Sequence, residues 1–303
     1  MLPLNILGTL GGLYVFLAVS SLVAVRLGGT PEIMLRIRSW WVMVIVFTLA
    51  FFANRAVLTL LIAFISFLAL KEYLSIIPTR RVDRRVLFWA YLAIPMQYLF
   101  VYFRDYGMFI ILVPIYMLLF LPMAMVLIGE TKGFLSAIGT LQWGLMLTVF
   151  CLGHLAFLVI LPPERTTGLG LLLFLLLITQ FNDVAQYLWG KRFGKHKILP
   201  TVSPGKTAEG LLGGVLTTTL LSVLLSPLLT PMSWWLALAL GFFLAVIGFI
   251  GDVTISALKR DLGVKDSSNL IPGHGGILDR VDSLTYTAPL FFHIIRFVFY
   301  VEF

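Results

Sequence analysis

The chain alternates between long apolar runs and short polar clusters. Ten runs stand out, at about 5–26, 40–53, 56–77, 86–103, 107–128, 135–161, 168–189, 208–229, 233–257 and 284–301. A helix needs about 20 apolar residues to cross a bilayer, and most of these runs are that long. The second is short, and Asn54-Arg55 alone separates it from the third. The pattern predicts an all-α polytopic membrane protein with about ten transmembrane helices, or nine if the second segment only enters the membrane. No run of polar sequence is long enough for a soluble domain, so chemistry is expected at span ends and in loops. Two regions of one integrated membrane domain are distinguished, an N-terminal multi-span region (1–165) and a C-terminal region (166–303) that holds most of the polar sequence.

Composition agrees with this reading. Hydrophobic residues make up 60% of the chain and charged residues 12%, against about 45–50% and about 25% in soluble domains. A soluble globular protein, a disordered chain and a disulfide scaffold are excluded, and Cys151, the single cysteine, has no internal partner. The opening Met-Leu-Pro-Leu-Asn has no basic residue ahead of its apolar run, so it does not read as a cleaved signal peptide.

The net charge of +8 becomes informative once it is placed along the spans. With ten spans, one set of loops receives Arg26, Arg36, Arg38, Arg80, Arg81, Arg84, Arg85, Lys132, Lys191, Arg192, Lys195, Lys197, Lys206, Lys259, Arg260, Lys265 and Arg280. The other set receives Arg55, Arg104 and Arg165. Lys and Arg concentrate in cytoplasmic loops, so both termini are expected outside the cytoplasm. Fusing the second and third runs would put the first basic loop on the wrong side. The positive excess reads as orientation and gives no support to nucleic-acid binding. The absence of a transit peptide favours a bacterial inner membrane.

Two stretches, 182–210 and 252–282, hold sixteen of the 36 charged residues, and the same topology puts both at the cytoplasmic face. Asp183 and Asp252 fall inside apolar runs near that face. Acids in membrane spans usually face a protein interior and serve a function, although a headgroup-level ion pair would also account for them. Asp279 and Asp282 are three apart, so a helix would project both from one face. Two such acids suit a hard divalent cation or simply complement a helix N-terminus. Pro272-Gly273-His274-Gly275-Gly276 can bring backbone amides close to an anion, or it is a flexible turn. Lys259, Arg260, Lys265 and Arg280 would neutralise phosphoryl oxygens, or they anchor the topology. Ser203-Pro204-Gly205-Lys206-Thr207 resembles the end of a phosphate-binding P-loop, but Pro200 stands where that motif has its first glycine. His154 and His293 lie inside spans and read as packed residues.

The segment from Ser256-Ala257-Leu258-Lys259-Arg260 through Lys265-Asp266 to Ile271-Pro272-Gly273-His274-Gly275-Gly276-Ile277-Leu278-Asp279-Arg280-Val281-Asp282 resembles the signature of the CDP-diacylglycerol synthases, the phosphatidate cytidylyltransferases. The upstream residues Asp183, Tyr187, Ser203, Pro204, Lys206, Thr207, Glu209 and Gly210 are similar to a second segment of that family. Val184 departs from an expected Thr or Ser, and Gly205 from an expected Lys. The resemblance covers about 180–285; earlier residues match only as a multi-span region. It implies transfer of CMP from CTP to phosphatidate in phospholipid biosynthesis, giving CDP-diacylglycerol and pyrophosphate, at an active site formed by cytoplasmic-face loops. It also implies Mg²⁺ held by Asp252, Asp279 and Asp282, with a second monovalent ion such as K⁺, and a homodimer. Lys259, Arg260, Lys265 and Arg280 would join those acids in catalysis. Asp183, Ser203, Lys206, Thr207, Glu209, Ser256, Asp266, His274, Gly275 and Gly276 would bind substrate.

A cytidylyltransferase acting on another lipid phosphate, isoprenoid-ether or prenyl, is the alternative that the two departures suggest. A cation-coupled transporter is remote, since no inverted repeat is visible. A CDP-alcohol phosphotransferase would need an Asp-Gly-x-x-Ala-Arg string, which does not occur.

The charge asymmetry carries a direct test. In intact cells, Lys195→Cys should resist a membrane-impermeant thiol reagent and react once the membrane is opened; labelling from outside would reverse the topology.

Overall fold

The computed structural model describes residues 3–26, 28–162 and 164–300. Met1, Leu2 and residue 301, the expected end of the last span, lie outside the described residues. Ten long helices follow one another: α1 (Leu4–Arg26), α2 (Pro31–Phe52), α3 (Arg55–Ile76), α4 (Arg84–Tyr102), α5 (Tyr106–Val126), α6 (Phe134–Ile160), α7 (Arg165–Phe193), α8 (Ala208–Leu229), α9 (Trp234–Asp261) and α10 (Leu278–Phe299). α5 and α6 each widen into a π-helical turn, at Leu112–Met117 and Met146–Cys151. No strand occurs among the described residues, and the two backbone bridges are isolated pairs in loops. The protein is an all-α polytopic membrane protein.

The second helix corrects the short run read from the sequence. α2 begins at Pro31, nine residues earlier than expected, because Thr30 accepts the Ile33 amide and Pro31 suits the first helical turn. Its 22 residues are enough to cross a bilayer. Asn54 accepts the Val57 amide and starts α3, so the break at Asn54-Arg55 is real.

Eight of the ten helices are long and apolar enough by composition to span a membrane; α4 and α10 are not among them. α10 is polar because it lies inside the bundle. Asp279, Asp282, Ser283, Thr285 and Thr287 are buried, and α10 packs against α3, α6, α7 and α9. The C-terminal half of α6 and the first half of α7 are almost wholly buried beside it. α1, α2 and α8 lie at the periphery and present Leu, Val and Phe outward, as hydrocarbon requires.

α7, α8 and α9 pack in succession. Asn182 on α7 joins all three: its Nδ2 donates to Ala245 O on α9 (3.1 Å), and its Oδ1 accepts from Thr218 Oγ1 on α8 (3.1 Å). Small residues let helix backbones approach within the membrane. At Gly170 a Cβ would overlap the carbonyl of Leu229 at the end of α8, so α7 and α8 cannot meet there with any larger residue.

Overpacking such a contact costs about 1–3 kcal/mol. Gly170→Val should therefore lower the melting temperature in detergent, whereas Gly12→Val, with open space around it, should leave it close to wild type.

Candidate functional site

The two polar stretches meet at one end of the bundle. α9 and α10 run antiparallel, and Asp252 and Lys259 lie two turns apart on α9, about 10 Å along the axis. α10 therefore meets α9 at two levels. At one, Lys259 Nζ pairs with Asp279 Oδ1 at 2.6 Å. At the other, Asp282 comes within electrostatic reach of Asp252 and of Asp183 on α7.

Lys206 answers that second group. Its Nζ lies 2.5 Å from Asp252 Oδ2 and donates to Gln186 Oε1 at 3.3 Å. Burial opposes the charge on this loop ammonium, yet the carboxylates of Asp252 and Asp183 hold its pKa above the ordinary lysine value. Ser256 Oγ donates to Asp252 Oδ1 (3.3 Å), and Ser283 Oγ donates to Asp183 (3.2 Å). The Arg280 guanidinium lies in the field of Asp183 and Asp282.

Around this group, Arg280 Nε and Gln186 Nε2 are buried without a hydrogen-bond partner among the described residues. His274 Nδ1 is in the same condition; burial pushes its imidazole down to about 4, so the ring is neutral at pH 7. Buried donors left unpaired are uncommon, and those of Arg280 and Gln186 belong to residues beside the acids and Lys206.

Asp279 belongs to a different set of contacts. Besides Lys259, it accepts at Oδ2 from Ser267 N (2.9 Å), Ser267 Oγ (3.0 Å) and Gly276 N (3.0 Å). The expected trio of Asp252, Asp279 and Asp282 is thus divided, with Asp183 taking the place beside the other two. Among the described residues no three acids, histidines or cysteines adopt a metal-holding arrangement. The donor chemistry of Asp183, Asp252 and Asp282, all carboxylate oxygen, fits a hard divalent cation.

The remaining expected residues shape the loops. Glu209 Oε2 accepts from Lys195 N (2.9 Å) and His196 N (3.2 Å), and its Oε1 lies 2.6 Å from His196 Nδ1. Thr207 caps α8 by accepting the Gly210 amide at 3.1 Å. These contacts fold 194–207 back so that Lys206 reaches the acids. Arg260 Nε donates to Val202 O (3.2 Å) and ties this loop to the end of α9. Ser203 sits half-buried in the turn before Lys206, while Lys265 and Asp266 are exposed. Gly275 adopts φ +79° in the turn closed by Ile271 N donating to Gly275 O at 2.8 Å. The two departures touch little: Val184 is exposed on α7 and Gly205 has open space about it. As expected, His154 and His293 are packed, 3.2 Å apart between their Nε2 atoms among aromatic rings.

Three residues of the first region reach the site without having been singled out in the sequence. Arg36 Nε donates to Gly273 O (3.0 Å) and Ser39 Oγ to Pro272 O (2.7 Å), both from α2. Glu72, near the end of α3, accepts from the amides of Ile277 (3.0 Å) and Leu278 (2.8 Å). The signal for Glu72 was the one that marked Asp183 and Asp252, an acid near the end of an apolar run.

The sequence pattern of the cytidylyltransferase family matches residues 34–298. The chain belongs to the cytidylyltransferase family. It is 45% identical over 276 residues to a protein of Escherichia coli (strain K12) named "Uncharacterized protein YnbB", covering 91% of this chain and 90% of that one. It is also similar to two proteins named phosphatidate cytidylyltransferase. One, from Staphylococcus saprophyticus, is 37% identical and one, from Staphylococcus aureus (strain COL), 38% identical, each over 154 residues. Those matches cover 49% of this chain and 59% of each staphylococcal protein. Membership makes the chain a CTP-dependent nucleotidyltransferase, so the unpaired donors beside the acids lie in an enzyme that handles polyphosphate.

Lys206 and Asp252 are part-buried, with side chains 19% and 21% exposed, and removing the cation leaves charge uncompensated where water screens it only in part. Lys206→Met should therefore lower the melting temperature clearly, because Asp252, Asp183 and Asp282 lose their nearest ammonium. Lys265→Met, at an exposed position, should not.

Proposed function

We propose that the protein is a phosphatidate cytidylyltransferase, transferring CMP from CTP to phosphatidate to give CDP-diacylglycerol and pyrophosphate. The observation that carries this reading is the group of Asp183, Asp252 and Asp282 around Lys206, bordered by the unpaired donors of Arg280 and Gln186. It combines carboxylates for a cation with donors for phosphoryl oxygens, at one end of a membrane bundle where a lipid phosphate and a soluble nucleotide can meet.

In the proposed reaction a phosphate oxygen of the lipid attacks the α-phosphorus of CTP. The bond from that phosphorus to the bridging oxygen breaks, and its electron pair leaves with pyrophosphate. The second pKa of a phosphate monoester is about 6, so the nucleophile is already ionised at neutral pH and no general base is needed. The work of the chain is positioning and charge neutralisation. Lys206 and Arg280 face the acids and would turn to phosphate oxygens. Lys259 would pass from Asp279 Oδ1 to the polyphosphate, freeing that oxygen. Arg260, tied to the loop that carries Lys206, and the exposed Lys265 would add a cationic rim. His274, neutral at pH 7, would offer a hydrogen bond rather than a charge.

Asp252 and Asp282, with Asp279 after that exchange, would hold Mg²⁺. Bound there, Mg²⁺ would neutralise charge on the polyphosphate and on the leaving group; a monovalent ion such as K⁺ is proposed beside it. The active site is proposed to face the cytoplasm of a bacterial inner membrane, where CTP is available. The open surroundings of Val184 and Gly205 leave room for a second reading, in which another lipid phosphate is the acceptor.

Purified protein with labelled CTP, phosphatidate and Mg²⁺ should form CDP-diacylglycerol, and chelation should abolish it. Asp252→Asn should lower turnover more than about 100-fold, beyond the range of residues that only orient a ligand, with the melting temperature nearly kept. Activity with isoprenoid-ether or prenyl phosphate well above that with phosphatidate would favour the second reading. Absence of product with every lipid phosphate would refute both.

A further inference from the structure

Glu72 is 5% exposed and lies about two hundred residues from every group it binds. Its Oε1 accepts from Ser268 Oγ (2.7 Å) and Ile277 N (3.0 Å), and its Oε2 accepts from Leu278 N (2.8 Å) and Ser267 Oγ (3.0 Å). The first amides of a helix need outside acceptors. Ile277, just before α10, has no side chain that can serve. A carboxylate from α3 takes that place.

The same carboxylate is linked to Asp279. Ser267 Oγ is 3.0 Å from both Glu72 Oε2 and Asp279 Oδ2. A hydroxyl has one proton, so the two acids share a single donor and their positions are coupled. Gly276 lies between them: a Cβ there would overlap Ser267 Oγ and Glu72 Oε2. The glycine turn is therefore shaped around the protein's own acids. Its amide at Gly276, with those of Ile277 and Leu278, already holds anions, and those anions are Asp279 and Glu72.

We propose that Glu72 is a positioning residue. From the N-terminal region it fixes segment 267–278, sets the first turn of α10, and so holds Asp279 and, one turn on, Asp282 in place. The consequence for turnover rests on the cytidylyltransferase reading above; the anchoring does not.

The test compares Glu72→Gln with Tyr73→Phe. The Gln keeps size but turns an N–H toward the amides of Ile277 or Leu278. Tyr73 is the buried neighbour whose hydroxyl donates to Thr140 O at 2.7 Å, away from this segment. Both are measured by hydrogen exchange in detergent, melting and steady-state kinetics. Glu72→Gln should speed exchange within 264–282 by at least about tenfold, leave other helices unchanged, and lower kcat by about 10–100-fold with the KM for CTP nearly constant. Tyr73→Phe should lower melting without either effect, and Glu72→Asp should recover part of both. Unchanged exchange in 264–282, or a kcat loss no greater than that of Tyr73→Phe, would overturn the proposal. If the wild type turns over no lipid phosphate, the functional reading fails while the exchange comparison still decides the role of Glu72.

Discussion

A carboxylate withdrawn from water into a helical bundle must be met by donors or cations, and the C-terminal half of this protein is organised around that requirement. The chain has 14 acidic residues, and Glu72, Asp183, Asp252, Asp279 and Asp282 gather at one end of the bundle. Each is met differently. Glu72 takes two backbone amides and two hydroxyls. Asp279 takes Lys259, two amides and the Ser267 hydroxyl that it shares with Glu72. Asp252 takes Lys206 and Ser256, while Asp183 and Asp282 share the field of Lys206 and Arg280. The first two are fully engaged. The other three have less compensation than charge, and the unpaired donors lie beside them.

That division separates two tasks in one polar patch. Glu72 and Asp279 build the glycine turn and the start of α10. Asp183, Asp252 and Asp282 form a second, less compensated group around Lys206. The antiparallel crossing of α9 and α10 makes the division, because Lys259 and Asp252 are two turns apart on α9 and meet different residues of α10. The N-terminal helices are part of this arrangement. α2 holds the carbonyls of Pro272 and Gly273, and α3 supplies Glu72, so the first half of the chain clamps the segment that carries the signature.

Much of this was legible in the chain. The ten apolar runs became ten helices, since a bilayer-length run has little choice but to satisfy its backbone as a helix. The second run was read short because Arg36 and Arg38 interrupt its apolar character, while Thr30 and Pro31 start the helix before them. The polar stretches were visible because charge is scarce, and their family resemblance agrees with the family match over 34–298. Thr207 and Glu209 look in sequence like residues that meet a ligand. In the fold their oxygens cap α8 and hold 194–207 in place.

The sequence by itself determined the class, the helices and the identity of the polar residues, because each depends on local composition and on spacing along the chain. It could not pair those residues. Asp252, Asp279 and Asp282 appear as one trio on a line, and the register of α9 against α10 splits them. Glu72 carries no mark of a role at 267–278, because hydrogen bonds across two hundred residues leave no local pattern. Which acid is fully compensated and which is left available is a property of packing, and the tertiary structure alone decides it.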